Sequence, residues 1–153
     1  MKSLTHYMQE KLIIKKNKST NYKYFPQTKE ELKEIIEKRI KDEGNEVDLN
    51  DIDVSNITDM SELFVNFKYF NGNISNWNVS NVINMSGMFA MCILFNKDIS
   101  TWDVSKVTNM SYIFFGCRKF NKDISSWDVS SVKNSFDMFI GCPIEEKYKP
   151  KFK

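Results

Sequence analysis

The sequence repeats itself every 25 residues over most of its length. Trp77, Trp102 and Trp127 are separated by this interval, and no insertion or deletion interrupts the register. The same interval relates three further series: Val54, Val79, Val104 and Val129; Phe64, Phe89, Phe114 and Phe139; and Cys92, Cys117 and Cys142. A fixed period of about 20 to 50 residues is typical of repeat architectures, in which each unit buries its apolar side only against its neighbours. We therefore expect like side chains to lie over one another in columns.

Each repeat contains two apolar spacings. The first fits the L-x-x-L-x-L strand and turn of a leucine-rich repeat, and the second fits one face of a short helix. Their members in one repeat are Ile99, Trp102, Val104 and Val107, and then Met110, Ile113, Phe114 and Cys117. We therefore predict an α/β fold: a short right-handed solenoid, similar to a leucine-rich repeat, of about four coils. Each coil is expected to hold a short parallel strand and a short helix, with the tryptophans inside.

Both ends of the repeat region show signs of a cap. Thr28 and Glu31 form the pattern of a capping box, and Gly44 is placed to end the helix that follows. At the other end Ser135 replaces the methionine of its column, and Pro143 closes the last repeat. The predicted organisation has four parts: a docking or flexible segment at 1–21, a capping helix at 22–46, the repeats at 47–144 and a basic tail at 145–153.

Composition excludes several classes of protein. A chain of 153 residues with 41% hydrophobic residues supports one domain with a core of ordinary size. The longest apolar run, 88–95, is shorter than the roughly 20 residues that cross a bilayer, so we expect no membrane span. We also expect no secretory signal peptide, and hence a protein that is cytoplasmic when made and is then incorporated into a virion or surface assembly.

Charge and chemistry argue against nucleic-acid binding and catalysis. Residues 47–144 carry ten acidic and seven basic side chains, so the repeats offer no clustered Lys and Arg for phosphates. His6 is the single histidine, and no nucleophile, phosphate-loop or paired-cysteine motif is present. We expect no enzymatic activity, no catalytic residue, no cofactor and no metal site. The three cysteines are expected to be buried, reduced thiols.

Outward positions of the predicted strands form acidic and amide columns. The candidate binding face comprises Asp53, Asn78, Asp103 and Asp128, together with Asn73, Asp98 and Asp123. Parallel strands lie about 4.8 Å apart, so these columns would make a flat strip suited to the backbone amides or basic side chains of a partner. Two alternatives remain open: these side chains form turns within the coils, or neighbouring oxygens share an ion.

The first residues carry a second candidate site. Leu4, Tyr7, Met8 and Leu12 lie along one face of a predicted helix. We interpret this face as a docking segment that attaches the domain to a larger assembly by packing into a groove. The alternatives are a disordered tail or a helix that packs on the domain's own cap.

Two repeats carry a family resemblance. The strings FNKDISTWDVSKVTNMSYIFFGC and FNKDISSWDVSSVKNSFDMFIGC closely resemble the DUF285 repeat, which belongs to the BspA-like leucine-rich-repeat surface proteins of bacteria. The similarity covers roughly residues 47–142. It implies a fold like that of leucine-rich repeats and a role in adhesion or protein recognition. Such repeats usually occur on secreted or lipid-anchored chains, some of them in mycoplasmas and in phage-borne genes.

These observations predict a non-enzymatic protein interaction or adhesion module, attached to a larger assembly by its N-terminal segment. The expected partner is a protein, within an assembly or on a host cell surface. Self-association through the end coils is a further expectation. The alternative function is that of a structural or decoration component of a particle such as a phage virion.

Overall fold

Turns, rather than strands and helices, build most of this chain. The structure, a computed structural model, describes Ser3 and residues 21–153. In this part of the chain the regular elements are helix α1, Lys29–Glu43, and a 3₁₀ helix, Glu146–Tyr148, and there is no strand. Five isolated parallel bridges, such as those joining Asn109 to Asn84 and to Asn134, are the only β pairing there. The predicted α/β solenoid with a strand and a helix in every coil is therefore wrong.

The 25-residue units nevertheless lie over one another. We number these coils from one to four as 47–71, 72–96, 97–121 and 122–146. The rings of the phenylalanine column stack almost parallel, with centroid distances of 5.5, 5.7 and 5.9 Å from Phe64 through Phe89 and Phe114 to Phe139. Trp102 and Trp127 stack at 6.5 Å, and both indoles are 4% exposed. The expectation that the tryptophans pack inside is confirmed.

The predicted helix of each coil fails because alternate amides leave the coil. In coil three Tyr112 and Gly116 have φ of 60° and 69°, which a right-handed helix cannot contain. Four amides donate instead to the next coil at 2.7–3.1 Å: Met110 to the carbonyl of Asn134, Tyr112 to Phe136, Phe114 to Met138 and Gly116 to Ile140. Of the intervening amides, those of Ile113 and Phe115 donate three residues back, to Met110 and Tyr112, and that of Ser111 donates to the Asn109 side chain. Successive turns therefore produce the helix-like spacing of apolar residues.

The predicted strand is likewise a pair of turns. The amide of Trp102 donates to the carbonyl of Ile99 at 3.2 Å, and that of Val107 donates to Val104 at 2.9 Å. Each of these hydrogen bonds spans three residues and closes a turn within the coil. A chain that turns in this way cannot pair along its length with a neighbouring coil. The alternation of buried and outward side chains is produced by these turns.

Helix α1 covers the N-terminal end of the stack. Thr28 caps the helix as predicted, because its hydroxyl accepts from the amide of Glu31 at 3.2 Å, while the Glu31 carboxylate reaches back to the amide of Gln27, one residue before the cap, at 2.6 Å. The helix ends at Gly44, whose φ is 90°. Three α1 side chains are fully buried in the same core as the coils: Leu32, Ile35 and Ile36. The helix therefore supplies the apolar surface that a preceding coil would offer.

The three cysteines form a column of thiols, and each thiol donates to the backbone carbonyl of a phenylalanine in the preceding coil. The Sγ atoms of Cys92, Cys117 and Cys142 lie 3.2, 2.9 and 3.4 Å from the carbonyls of Phe64, Phe89 and Phe120, respectively. Burial raises the pKa of Cys92 to about 12 and also raises the pKa of Cys117. These thiols therefore stay protonated in the folded protein.

The free energy of unfolding is expected to fall as the pH rises above about 9. The unfolded chain loses the Cys92 proton near its ordinary pKa, whereas the folded chain keeps it until about pH 12. Each such thiol therefore costs up to about 1.4 kcal/mol of stability per pH unit in that window. Urea unfolding at about pH 8 and about pH 10 measures the loss, and Cys92→Ser should show a smaller loss than the unmodified chain. Equal losses in the two proteins would contradict this expectation.

Candidate binding surfaces

The predicted acidic columns lie at the surface, where each member forms a turn. Asp103 Oδ1 accepts from the Ser105 amide at 3.0 Å and from its hydroxyl at 2.6 Å, and Asn78 makes the same two bonds with Ser80. The remaining members also accept from the amide two residues on: Asp53, Asn73, Asp98, Asp123 and Asp128. The turn alternative therefore describes these contacts, and a binding role for the columns stays a prediction.

Hydrogen bonds from serines also favour the ionised form of these aspartates. The Ser105 hydroxyl and amide lower the pKa of Asp103, and the equivalent groups of Ser130 lower the pKa of Asp128. The carboxylates thus stay ionised at neutral pH as acceptors within their turns. Within the described residues, no group of three His, Cys, Asp or Glu side chains is placed to hold a metal ion.

The second predicted site cannot be located. Leu4, Tyr7, Met8 and Leu12 lie outside the described residues. Their role as a docking segment stays a prediction.

The coils also carry an apolar patch that was not predicted from the sequence. We define the apolar patch by five residues of coils two to four: Met91, Tyr112, Phe115, Phe136 and Ile140. Phe136 is 64% exposed and Ile140 is 56% exposed, and Met91 and Tyr112 are about two-fifths exposed. The Tyr112 ring packs edge-on against Phe115 at 5.9 Å and against Phe136 at 5.5 Å. The rings of Tyr112, Phe115 and Phe136 therefore form one cluster on the surface. Met91 and Ile140 lie next to it in the backbone, because the Met91 amide donates to the Phe115 carbonyl and the Gly116 amide to the Ile140 carbonyl.

Departures from the columns could have revealed this patch. Phe136 stands where the earlier coils have serine, at Ser61, Ser86 and Ser111. Ile140 stands in the column of Val65, Ala90 and Phe115. A column that is polar in three coils and aromatic in the fourth indicates that the aromatic side chain is not needed for stacking.

Two members of the patch also occupy unfavourable backbone. Met91 has a φ of 62° and Tyr112 a φ of 60°, in the left-handed region that costs a side-chain-bearing residue about 1–2 kcal/mol. The same columns hold Gly87 and Gly116 in the adjacent coils, with φ of 62° and 69°. Bulky residues at these positions strain the chain while about two-fifths of each stays exposed, so the stability of the fold does not account well for them.

Beside the patch, the last coil exposes a row of backbone donors. We define the amide edge as the N–H groups of Ser135, Asp137, Phe139 and Gly141. The equivalent amides of coils one to three donate to the next coil at every position except Asn66, whereas the four amides of the last coil have no acceptor within the described part of the chain. Most of the coil around them is exposed or half-buried. The amide edge is therefore open for a hydrogen-bond acceptor from outside.

The C-terminal residues cover only the other half of the last coil. The Ile124 amide donates to the Tyr148 carbonyl at 3.0 Å, and Ile144 and Pro150 are buried. Lys149 Nζ lies 5.5 Å from the centroid of the Phe139 ring, at the border of the covered half. Residues 134–141 lie beyond this cover, which leaves the amide edge and the apolar patch side by side.

Comparison with known proteins places this architecture in a family. In the described part of the chain, no helix is both long and apolar enough to cross a membrane. No curated protein and no solved structure matches the sequence. The model of the family described as "Mycoplasma protein of unknown function, DUF285" matches residues 30–149, which include α1 except its first residue, all four coils and the 3₁₀ helix. The chain therefore belongs to the DUF285 family.

Proposed function

We propose that this protein is a non-enzymatic module that binds another protein through the apolar patch. The observation that carries the proposal is the clustering of Tyr112, Phe136 and Ile140 on one face, each at least 40% exposed. Contiguous apolar surface of this kind marks interaction sites in proteins that are otherwise polar outside. Aromatic side chains contribute most to the affinity of such interfaces when a partner covers them.

The rest of the surface supports the same choice. The outward aspartates and asparagines are engaged by serines of their own coil, whereas the exposed side chains of the patch take no part in these turns. In this proposal the segment with Leu4, Tyr7, Met8 and Leu12 attaches the module to a larger assembly. Adhesion to a cell surface is one use of such a module, and a structural block of a virion is the alternative.

A variant that restores the residues of earlier coils tests the patch. We call Tyr112→Gly, Phe136→Ser and Ile140→Ala together the patch-erased variant; Gly87, Ser111 and Ala90 are its precedents in the same columns. Its free energy of unfolding should stay within about 1 kcal/mol of the unmodified chain, because relief of strain at residue 112 offsets the lost ring contacts. Its affinity for the partner should fall by about 30-fold or more, the loss typical of removing aromatic anchors.

The measurement compares three immobilised proteins in extracts of cells that make the chain. A matched control is Ile83→Thr, which removes an apolar side chain that is 49% exposed outside the patch and has Thr58 and Thr108 as column precedents. Mass spectrometry should find proteins that the unmodified chain and the control retain and the patch-erased variant loses. Identical retention by all three would refute the proposal. Recovery at fixed stoichiometry within a particle would instead identify a structural block.

A further inference from the structure

We infer that the partner presents an acidic segment with the turn-built form of a coil, which adds to the open end of the stack with its carbonyls on the amide edge and its apolar side chains on the apolar patch. This inference rests on the proposed function and specifies the chemistry and the binding mode of the partner. The proposed site is formed by backbone N–H groups of the last coil, and no side-chain motif marks it in the sequence.

The stack has a direction because, from residue 85 to residue 91 of coil two and at the equivalent residues of coils one and three, every amide that leaves its coil donates to the following coil. In coil two the amides of Gly87, Phe89 and Met91 donate to carbonyls of coil three at 2.7–3.0 Å. In coil three the amides of alternate residues donate in the same sense to coil four. The C-terminal end of this region therefore presents N–H groups, and its complement must supply acceptors.

The spacing of the donors determines the form that an added segment must have. The donors of the amide edge lie at every second residue, as do those of each earlier coil. Within the stack these donors meet carbonyls at every second residue of the next coil, such as those of Phe136 and Met138. An added segment that runs alongside with the same local form would satisfy all four amides, as an added strand does at the edge of a sheet.

A second copy of this chain does not fit the open end. Two amide edges brought together would set donors against donors. The opposite end of the stack is covered by α1, whose Leu32 and Ile35 are fully buried and whose Lys29 Nζ lies 2.7 Å from Ser61 Oγ. For this reason we assign the amide edge to a different protein, and not to the self-association that the sequence suggests.

Charge around the edge favours an acidic partner. Asp137 is the single acidic residue between 129 and 144, while Lys133 is exposed beside the first donor. Lys151 and Lys153 line a cleft with Val132 of the same coil and with one acidic side chain, that of Asp128. Exposed backbone N–H groups add partial positive charge to these lysines. Carboxylates on the incoming segment would therefore be attracted, and the attraction would weaken with added salt.

The test uses a peptide whose sequence has the required form within the stack. A fluorescein-labelled peptide with the sequence of residues 134–141, blocked at both ends and extended by a glutamate at each end, reproduces the segment that occupies the equivalent edge one coil earlier. A peptide of the same composition in scrambled order is the control. Fluorescence anisotropy should show binding of the ordered peptide, weakened by added salt, and at least about 10-fold weaker binding of the scrambled one.

Two substitutions at Ser135 separate the backbone donor from the side chain. Ser135→Pro removes the N–H group, and Ser135→Ala keeps it. Asn134 forms a β-bridge with Asn109, an extended conformation that accepts a following proline. The peptide should bind Ser135→Ala within about two-fold of the unmodified chain and Ser135→Pro about 10-fold more weakly, the loss expected for one good hydrogen bond. Equal binding to both variants, at equal urea midpoints, would overturn the inference.

Two further measurements keep the outcome decisive. If Ser135→Pro unfolds, slowed hydrogen exchange at the amides of Asp137 and Phe139 on addition of the peptide supports the inference, and unchanged exchange contradicts it. Sedimentation that shows dimers of the unmodified chain would assign the edge to a second copy and overturn it. If the cellular partner is lost by the patch-erased variant but retained equally by Ser135→Pro and Ser135→Ala, the proposed function stands and this inference fails.

Discussion

Replacement of Phe89 by alanine is expected to lower the free energy of unfolding by about 3–5 kcal/mol, the usual cost of a large cavity in a core. Phe89 is fully buried in the middle of the phenylalanine column. Its ring stacks on Phe64 at 5.5 Å, on Phe114 at 5.7 Å and on Phe95 of its own coil at 4.2 Å. Coil one and coil three both lose a stacking partner, so no single side chain can close the gap.

Urea unfolding followed by tryptophan fluorescence measures this loss. Phe136→Ala is the matched control, because it removes the same side chain from a position that is 64% exposed. Its free energy of unfolding should change by less than about 1 kcal/mol. Similar losses for the two variants would show that the column does not carry the stability of the stack.

The second large effect is expected where α1 meets coil one. Arg39 is 8% exposed; it binds Glu43, donates to Asp51 Oδ1 at 2.8 Å and to the carbonyl of Asp48 at 2.9 Å, and lies over the Tyr24 ring. Burial acts against its charge, but the hydrogen bonds to Glu43 and Asp51 outweigh it and raise the pKa of Arg39. The guanidinium thus remains charged and joins the cap to the repeats.

Arg39→Met should lower the free energy of unfolding by about 2–4 kcal/mol, because it leaves the Asp51 carboxylate and a backbone carbonyl without their donor. The Asp51 side chain is 17% exposed and keeps only Lys23, at 3.6 Å, as an ion-pair partner in the described chain. Lys38→Met is the control, since Lys38 pairs with Asp42 on the exposed side of the same helix. Its urea midpoint should stay close to that of the unmodified chain. A midpoint as low as that of Arg39→Met would contradict the account of the cap.

The columns could be predicted from the sequence because a strict period dictates which side chains face one another. The positions of the tryptophans and the helix cap at Thr28 follow from residue type and spacing alone. The form of the coils could not be predicted in this way. Successive turns, each closed by a hydrogen bond that spans three residues, produce nearly the same apolar pattern as one face of a helix. The residue type of Tyr112 also gives no sign that its backbone is left-handed.

The candidate binding surfaces could be predicted only in part from the sequence. The aspartate columns stand out in the sequence, but their oxygens serve the turns of their own coils. The apolar patch left a trace in the change from Ser111 to Phe136, which becomes informative once the columns are known to lie over one another. The amide edge leaves no trace, because the direction of backbone hydrogen bonds is a property of the folded coil.

Residue-resolved hydrogen exchange of the free protein tests the central claim most directly. The claim is that alternate amides of each coil donate to the next one and that the last coil has no coil to receive its donors. The amides of Tyr112 and Phe114 should exchange at least about 100-fold more slowly than those of Asp137 and Phe139. Exchange at similar rates in both pairs, whether fast or slow, would contradict the stacked arrangement and its open end.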